Sequence, residues 1–429
     1  MQIHTVQPGD SIYSIAQEYG VPPSRIITDN MLDSVTGLVV GQDLVILFPT
    51  VTHTVRAGDS ITSIAALYGT DAGTIYRNNP ILGGVPDIYP GQILNIAYDT
   101  PPLGEISSNG YAYTTISRDI LRRTLPYLTY LSVFSYGIRQ DGSLIVPEGA
   151  DELTALAREY DTVPLLVLTS LSESGTFSSE LAGQILADPV LRQSVVGNVV
   201  SEVVSSGYGG VDVDFEYIPA EYADEYAAFL TEIGDALGEE YPVFVSLAPK
   251  YSADQPGLLY EGHNYAALGN AADRVLLMTY EWGYTYGPPL PVSPIREVRR
   301  VIDYAVTEIP REKILIGVPN YGYDWTLPYV RGQSRARSLG NQAALELARQ
   351  TGSEIRFDEG AQSPYFTYRA GEVSADHIVW FQNARSYDAM LRLVNEYGLW
   401  GAGVWNIMRF EPSLWLVMNA LYRIRKGVD

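Results

Sequence analysis

The chain has 429 residues, 46 % of them hydrophobic, no cysteine, and 28 basic against 50 acidic side chains, a net charge of −22. That length admits roughly two to four domains, or one α/β barrel of about 250 residues with smaller companions, and no apolar run approaches the ~20 residues of a membrane span. Disulfides, thiolate catalysis and cysteine-ligated zinc are excluded; so acidic a chain, with only Lys250, Lys313 and Lys426 beside its arginines, is repelled by nucleic-acid phosphates and anionic membranes.

The segment from Met1 to Val6 has no basic stretch followed by an apolar core, so no secretory signal peptide is expected. His4-Thr5-Val6-Gln7-Pro8-Gly9-Asp10-Ser11-Ile12 returns at an offset of 49 as His53-Thr54-Val55-Arg56-Ala57-Gly58-Asp59-Ser60-Ile61. Ile15-Ala16, Tyr19-Gly20 and Asn30 return as Ile64-Ala65, Tyr68-Gly69 and Asn79, and Gly41-Gln42 as Gly91-Gln92 after one inserted residue. Residues 1–49 and 50–98 therefore read as two copies of one module. In each, a β-branched strand leads to a turn ending in Asp and Ser, both good helix caps, and a helix follows. Gly20 suits its C-terminus, a second short helix runs through 25–30, and alternating Leu44, Ile46 and Phe48 close the unit as a strand. This β-α-α-β pattern resembles the LysM module, which implies binding of N-acetylglucosamine polymers, with Gly9, Asp10, Ser11, Gly58, Asp59 and Ser60 as the candidate glycan-binding turns. His4 and His53 occupy equivalent repeat positions and read as structural. Modules this small often serve as binding appendages.

The run Asp99-Thr-Pro-Pro-Leu-Gly is a stiff-linker signal. Beyond it, over 105–429, short β-rich runs alternate with helical patterns. Eight strand candidates lie at 110–114, 127–136, 164–169, 210–216, 243–248, 274–280, 314–321 and 399–405, with helices at 150–160, 188–205, 219–238, 295–308 and 386–396. The expected fold class is α/β: a (β/α)8 barrel with an insertion between its seventh and eighth strands, behind two small α+β modules. A doubly wound sheet is the alternative, but neither a Gly-x-Gly-x-x-Gly after the first strand nor a Walker A pattern is present. Trp380-Phe381, after the Tyr365–Tyr368 stretch, reads as a hairpin within the insertion.

The most informative run is Gly210-Val211-Asp212-Val213-Asp214-Phe215-Glu216. Strand side chains alternate, so the three acids share one face and Val211, Val213 and Phe215 the other. The apolar face belongs under the helices; the acids must point into the barrel, with Glu216 at the carboxyl end of the strand, where barrel enzymes work. Crowded buried carboxylates repel, which raises a pKa and equips one of them as a general acid. The segment resembles the D-G-x-D-x-D-x-E signature of glycoside hydrolase family 18, the chitinase family, with Gly209 in place of the first Asp. Gly110-Tyr111-Ala112-Tyr113, Met278-Thr279-Tyr280-Glu281, Gly317-Val318-Pro319-Asn320-Tyr321-Gly322 and Gly401-Ala402-Gly403-Val404-Trp405 resemble the family's first, sixth, seventh and eighth strands, with Glu281 replacing an Asp. The family's third-strand S-x-G-G is absent.

The resemblance implies hydrolysis with retention, in which the sugar's own 2-acetamido oxygen is the nucleophile, an exception among retaining glycosidases. It makes Glu216 the general acid, Asp214 the group that orients the acetamide, Asp212 its tuner and Tyr280 a donor to the acetamide carbonyl, with Trp405 as the floor under the sugar. Trp282, Glu281, Asn320 and Tyr321, at strand ends, are further candidates for substrate contact; Glu281 could instead pair with an Arg. No metal or organic cofactor is implied. The whole chain resembles the spore cortex-lytic N-acetylglucosaminidases of endospore-forming bacteria, which implies peptidoglycan as the partner, spore association after synthesis in the mother cell, and a role in germination. The expected state is a monomer without nucleic-acid or membrane partners. A chitinase is the rival within the enzyme class, and a non-catalytic carbohydrate-binding or spore-coat protein the rival outside it.

Overall fold

The computed structural model describes residues 1–32, 37–99, 101–172, 175–370 and 375–427. The first repeat folds as β1 (Gln2–Thr5), α1 (Ile12–Tyr19), α2 (Pro23–Asp29) and β2 (Asp43–Ile46); the second as β3 (Pro49–Thr54), α3 (Ile61–Tyr68), α4 (Ala72–Asn78) and β4 (Ile93–Tyr98). The two strands of each module pair antiparallel. Ser11 and Ser60 form capping boxes with Ser14 and Ser63, and Gly20 and Gly69 end α1 and α3 in the left-handed region. His4 bridges Asp10 (2.9 Å) and Tyr19 (3.1 Å), and His53 bridges Asp59 (2.9 Å) and Tyr68 (3.2 Å).

The larger unit opens with β5 (Gly104–Tyr113), α5 (Arg118–Thr124), β6 (Tyr130–Ile138), the short β7 (Leu144–Ile145), α6 (Ala150–Glu159) and β8 (Val163–Thr169). It continues with α7 (Ser179–Ala187), α8 (Pro189–Ser205), β9 (Val211–Asp214), α9 (Ala223–Leu237), β10 (Val243–Leu247), α10 (Tyr265–Ala271), β11 (Arg274–Leu277), α11 (Ile295–Glu308) and β12 (Ile314–Pro319). After an insertion come α13 (Ala384–Tyr397), β18 (Gly401–Trp405), α14 (Pro412–Leu421) and β19 (Tyr422–Ile424). Strands β5, β6, β8, β9, β10, β11, β12 and β18 pair in parallel, and β18 returns to β5 to close the (β/α)8 barrel. Between β12 and β18 stands a five-stranded antiparallel sheet of β13 (Gly322–Thr326), β14 (Arg337–Leu339), β15 (Arg356–Asp358), β16 (Ser363–Ala370) and β17 (Ala375–Trp380), with α12 (Asn341–Thr351). The β16–β17 hairpin is thus one part of a larger subdomain than the aromatic run alone suggested. Strand β5 begins six residues before the expected Gly110, because β19 pairs with Gly104–Ile106 and β18 with Ser107–Gly110.

The modules are not loose appendages. Thr100, within the expected linker, lies outside the described residues, but on either side of it Asp99 N–H donates to Phe48 O (3.0 Å) and Leu103 N–H to Leu421 O (2.7 Å). Val45 and Leu47 of the first module share the core of the barrel's helices. Asp43 pairs with Arg385 at 3.4 Å, and that guanidinium lies 3.6 Å from the Phe357 ring centroid. In the second module Arg77 donates to Pro126 O (3.0 Å), and Tyr127 and Tyr160 donate back to Arg77 O and Gly84 O (2.9 and 2.8 Å). Apolar burial joins the first module to the barrel, and these hydrogen bonds join the second.

Candidate active site

The alternation on β9 does what the spacing required. Val211, Val213 and Phe215 pack in the helix-facing core, while Asp212 and Asp214 turn into the barrel and are buried. The ladder ends at Asp214. Past it the chain turns sharply, Tyr217 adopting φ 57°, and Glu216 emerges on the wall of a cleft of about 810 Å³ at the carboxyl ends of the strands. Asp214, Tyr280, Glu281, Trp282 and Trp405 line the same cleft. A Cβ on Gly209 would stand 2.4 Å from Val163 Cγ1, so Val163 occupies the space where the signature's first Asp would sit.

Asp212 lies beneath the cleft, its Oδ2 accepting from Tyr111 OH (2.7 Å) and Ser132 Oγ (3.0 Å). Burial raises its pKa to about 6, against the pull of those hydrogen bonds. The Oδ1 atoms of Asp212 and Asp214 are buried and meet no partner among the described residues. Burial, then the Glu216 and Asp212 charges, hold Asp214 well above the ordinary carboxylate range. Burial, then Glu281, bring Glu216 to about 7. Three carboxyls crowded in a poorly solvated column cannot all be ionised near neutrality, and Glu216, at the site's mouth, holds its proton up to about pH 7. Burial, followed by the neighbouring carboxylates, raises Tyr280, so its phenol keeps the proton it would donate.

Trp405 stands edge-on to Phe134 (4.9 Å between centroids), Tyr111 (5.8 Å) and Tyr113 (6.1 Å), which fixes an aromatic floor. Glu281, at φ 71°, accepts from Tyr321 OH (2.5 Å) and Tyr323 OH (3.0 Å), so its partners are phenols and not the Arg considered from sequence. Trp282 donates to Tyr251 OH (2.8 Å), which donates to Glu297 (2.8 Å). Two candidates stand back from the cleft lining. Asn320 is buried, its amide donating to Asn406 O (3.1 Å) and Arg409 O (2.9 Å), and it holds the loop after β18. Tyr321 is buried behind Glu281 and is absent from the cleft lining.

In the modules, Asp10 and Asp59 each accept from a histidine and from a backbone N–H of their own turn (Gln7, 2.7 Å; Arg56, 2.6 Å). Ser11 and Ser60 are spent on helix capping, and Gly9 and Gly58 sit at φ 92° and 93°. These side chains build the turns.

Several residues escaped sequence reasoning. Tyr111, Ser132 and Phe134 are inward positions of β5 and β6, recoverable in principle by the alternation applied to β9. Tyr217, Tyr260 and Tyr284 line the cleft from loops, where no periodicity marks them among 32 tyrosines. His263 is fully buried: its Nδ1 accepts from Ala248 N–H (2.9 Å), which leaves Nε2–H to donate to Phe215 O (3.0 Å), one residue before Glu216. Burial lowers its pKa to about 4, so it holds that carbonyl as a neutral ring.

A closed parallel barrel with a crowded acid column, a buried phenol and an indole floor at the strand ends defines a barrel glycosidase. The chain belongs to the glycosyl hydrolases family 18, whose model matches residues 110–409, and the LysM domain model matches residues 4–47 and 53–97. It is a glycoside hydrolase carrying two LysM domains. It is similar to the cortical fragment-lytic enzyme of Bacillus subtilis (strain 168), 36 % identical over 433 residues and 99 % of either chain. The crystal structure of the spore cortex-lytic enzyme SleL of Bacillus cereus superposes with a TM-score of 0.84 at 34 % identity, covering 100 % of this chain and 99 % of that one. A chitinase from Chromobacterium violaceum superposes with a TM-score of 0.68 at 25 % identity over 74 % of this chain and 99 % of its own.

Proposed function

We propose that the chain hydrolyses N-acetylglucosaminyl bonds of peptidoglycan, spore-cortex fragments above all, by substrate-assisted retention. Glu216 protonates the glycosidic oxygen while the sugar's acetamido oxygen bonds to the anomeric carbon and the leaving chain departs. Asp214 orients the acetamide N–H and balances the positive charge on the oxazolinium ring, Tyr280 donates to the acetamide oxygen, and Asp212 tunes Asp214 from below. Water then opens the ring, giving its proton to Glu216. Trp405 carries the sugar's apolar face; Trp282 and Glu281 are its polar-edged neighbours.

The observation that carries this reading is the placement of Glu216, raised to about 7 by burial, on the cleft wall above two buried aspartates whose Oδ1 atoms meet no partner among the described residues. Choice of polymer rests on likeness to the cortical fragment-lytic enzyme along nearly the whole chain. The chitinase likeness stops at the barrel, which keeps chitin as the second reading. The units are residues 1–49, 50–98 and 105–429, with polymer binding supplied from the N-terminal LysM region. Spore association follows from the same likeness; among the described residues, no helix is long and apolar enough to cross a membrane.

The chemistry is tested by proton NMR of the first product formed from a soluble N-acetylglucosamine oligomer. A β-anomer at early times supports retention; an α-anomer would overturn the mechanism.

A further inference from the structure

The two modules repeat in sequence, yet they meet the rest of the protein differently. Each closes with a Gly-Gln corner built in the same way. Gly41 N–H donates to Val6 O and Val6 N–H to Gln42 O (both 2.8 Å); Gly91, Val55 and Gln92 reproduce both bonds at the same length. Gln42 and Gln92 side chains accept from Val39 N–H (3.1 Å) and Tyr89 N–H (3.2 Å), so Val39 and Tyr89 are structural equivalents. Through Val6 and Val55 each corner adjoins the Asp-Ser turn of its own module.

The surroundings of the corners are opposite. Val39 is buried in the core of the insertion with Leu339, Ala344, Ile355 and Phe366, and Ile355 N–H donates to Val40 O (2.9 Å). A Cβ on Gly41 would stand 1.8 Å from Ile355 O; one on Gly91 would have nothing within 4 Å. Tyr89 is 69 % exposed. Of the two corners, only the second therefore offers an open aromatic face beside the Asp-Ser turn of its module. That pairing suits an N-acetylhexosamine, whose apolar ring face stacks on an aromatic and whose amide and hydroxyls need donors and acceptors.

We infer that the modules have divided their work: the first is a brace that ties the insertion to the barrel, and the second alone holds the N-acetylglucosamine polymer, through Tyr89 and the turn at Gly58–Ser60. This rests on the reading of the N-terminal repeats as polymer-binding. Because the second module is itself bonded to the barrel at Pro126 and Tyr160, it holds the polymer at a fixed position relative to the cleft.

The test is co-sedimentation of the full chain with insoluble peptidoglycan, with kcat/KM on a soluble oligosaccharide as the control for folding. Tyr89→Ala should lose about tenfold in affinity at unchanged turnover. Tyr13→Ala, at the most exposed aromatic of the first module (77 %), should stay within about twofold of wild type. Equal retention of Tyr89→Ala and wild type, or loss on Tyr13→Ala instead, overturns the division. Failure of wild type to sediment overturns the polymer-binding reading as well. An independent arm compares Gly41→Ala with Gly91→Ala. Both carry the same left-handed strain (φ 84° and 90°), so a larger fall in Tm for Gly41→Ala isolates the contact with Ile355, and equal falls would refute the brace.

Discussion

Replacing Glu216 by glutamine should make the protein more stable, and only above the acid range. Glu216 titrates at about 7 in the folded chain because burial, and then Glu281, oppose its charge; in the unfolded chain it returns to 4.5. Between those two values the native state keeps a proton that the unfolded state has released, so stability falls as pH rises and is flat below 4.5 and above 7. At 1.36 kcal/mol per pH unit, the penalty at pH 8 is about 3 kcal/mol. Glutamine does not titrate and escapes it; loss of the Glu216 charge also eases ionisation of Asp214, which acts in the same direction. Thermal unfolding of both proteins at pH 4 and pH 8 provides the assay. Equal Tm values are expected at pH 4, and a variant more stable by roughly 3 °C at pH 8. A difference independent of pH, or a less stable variant at pH 8, would refute the crowded-carboxyl account.

Three further predictions concern the supports of the site. In wild type, kcat/KM on an oligosaccharide should fall about tenfold per pH unit above about 7 as Glu216 loses its proton; Glu281→Gln should move this limb to lower pH, yet keep it above 4.5 because burial remains, and an unmoved limb would exclude the coupling. His263→Phe keeps the bulk but abandons Phe215 O, so kcat should fall about tenfold with KM little changed, and His263→Gln should recover part of it; a pure KM effect would deny His263 a positioning role. Leu47→Ala should cost about 2–5 kcal/mol and lower a single unfolding transition seen by calorimetry. A separate early transition for the first module, with the barrel's unchanged, would show that the module is not part of the barrel's core.

What could be read from sequence follows from physics that acts locally. Alternation over Val211–Glu216 sets the acid column whatever the rest of the chain does. The 49-residue repeat and the eight β-rich runs need only self-similarity and periodicity. Position in a strand does not reveal which backbone groups the Asn320 amide will satisfy, here Asn406 O and Arg409 O. Tyr217, Tyr260 and Tyr284 come to the cleft on loops whose course depends on the whole barrel. The docking of the first module did leave a signal. Leu44, Val45, Ile46 and Leu47 are apolar on both faces, whereas the matching Leu94-Asn95-Ile96-Ala97 is apolar on one and mixed on the other. A strand apolar on both faces must be covered on both, and the barrel is what covers it.

The most direct test of the account is a digest of spore-cortex peptidoglycan fragments and of chitin by wild type and Glu216→Gln, with products read by mass spectrometry. Cortex fragments ending in reducing N-acetylglucosamine, absent from the Glu216→Gln digest, are the predicted result. Cleavage of chitin alone, or undiminished cleavage by the variant, would contradict it.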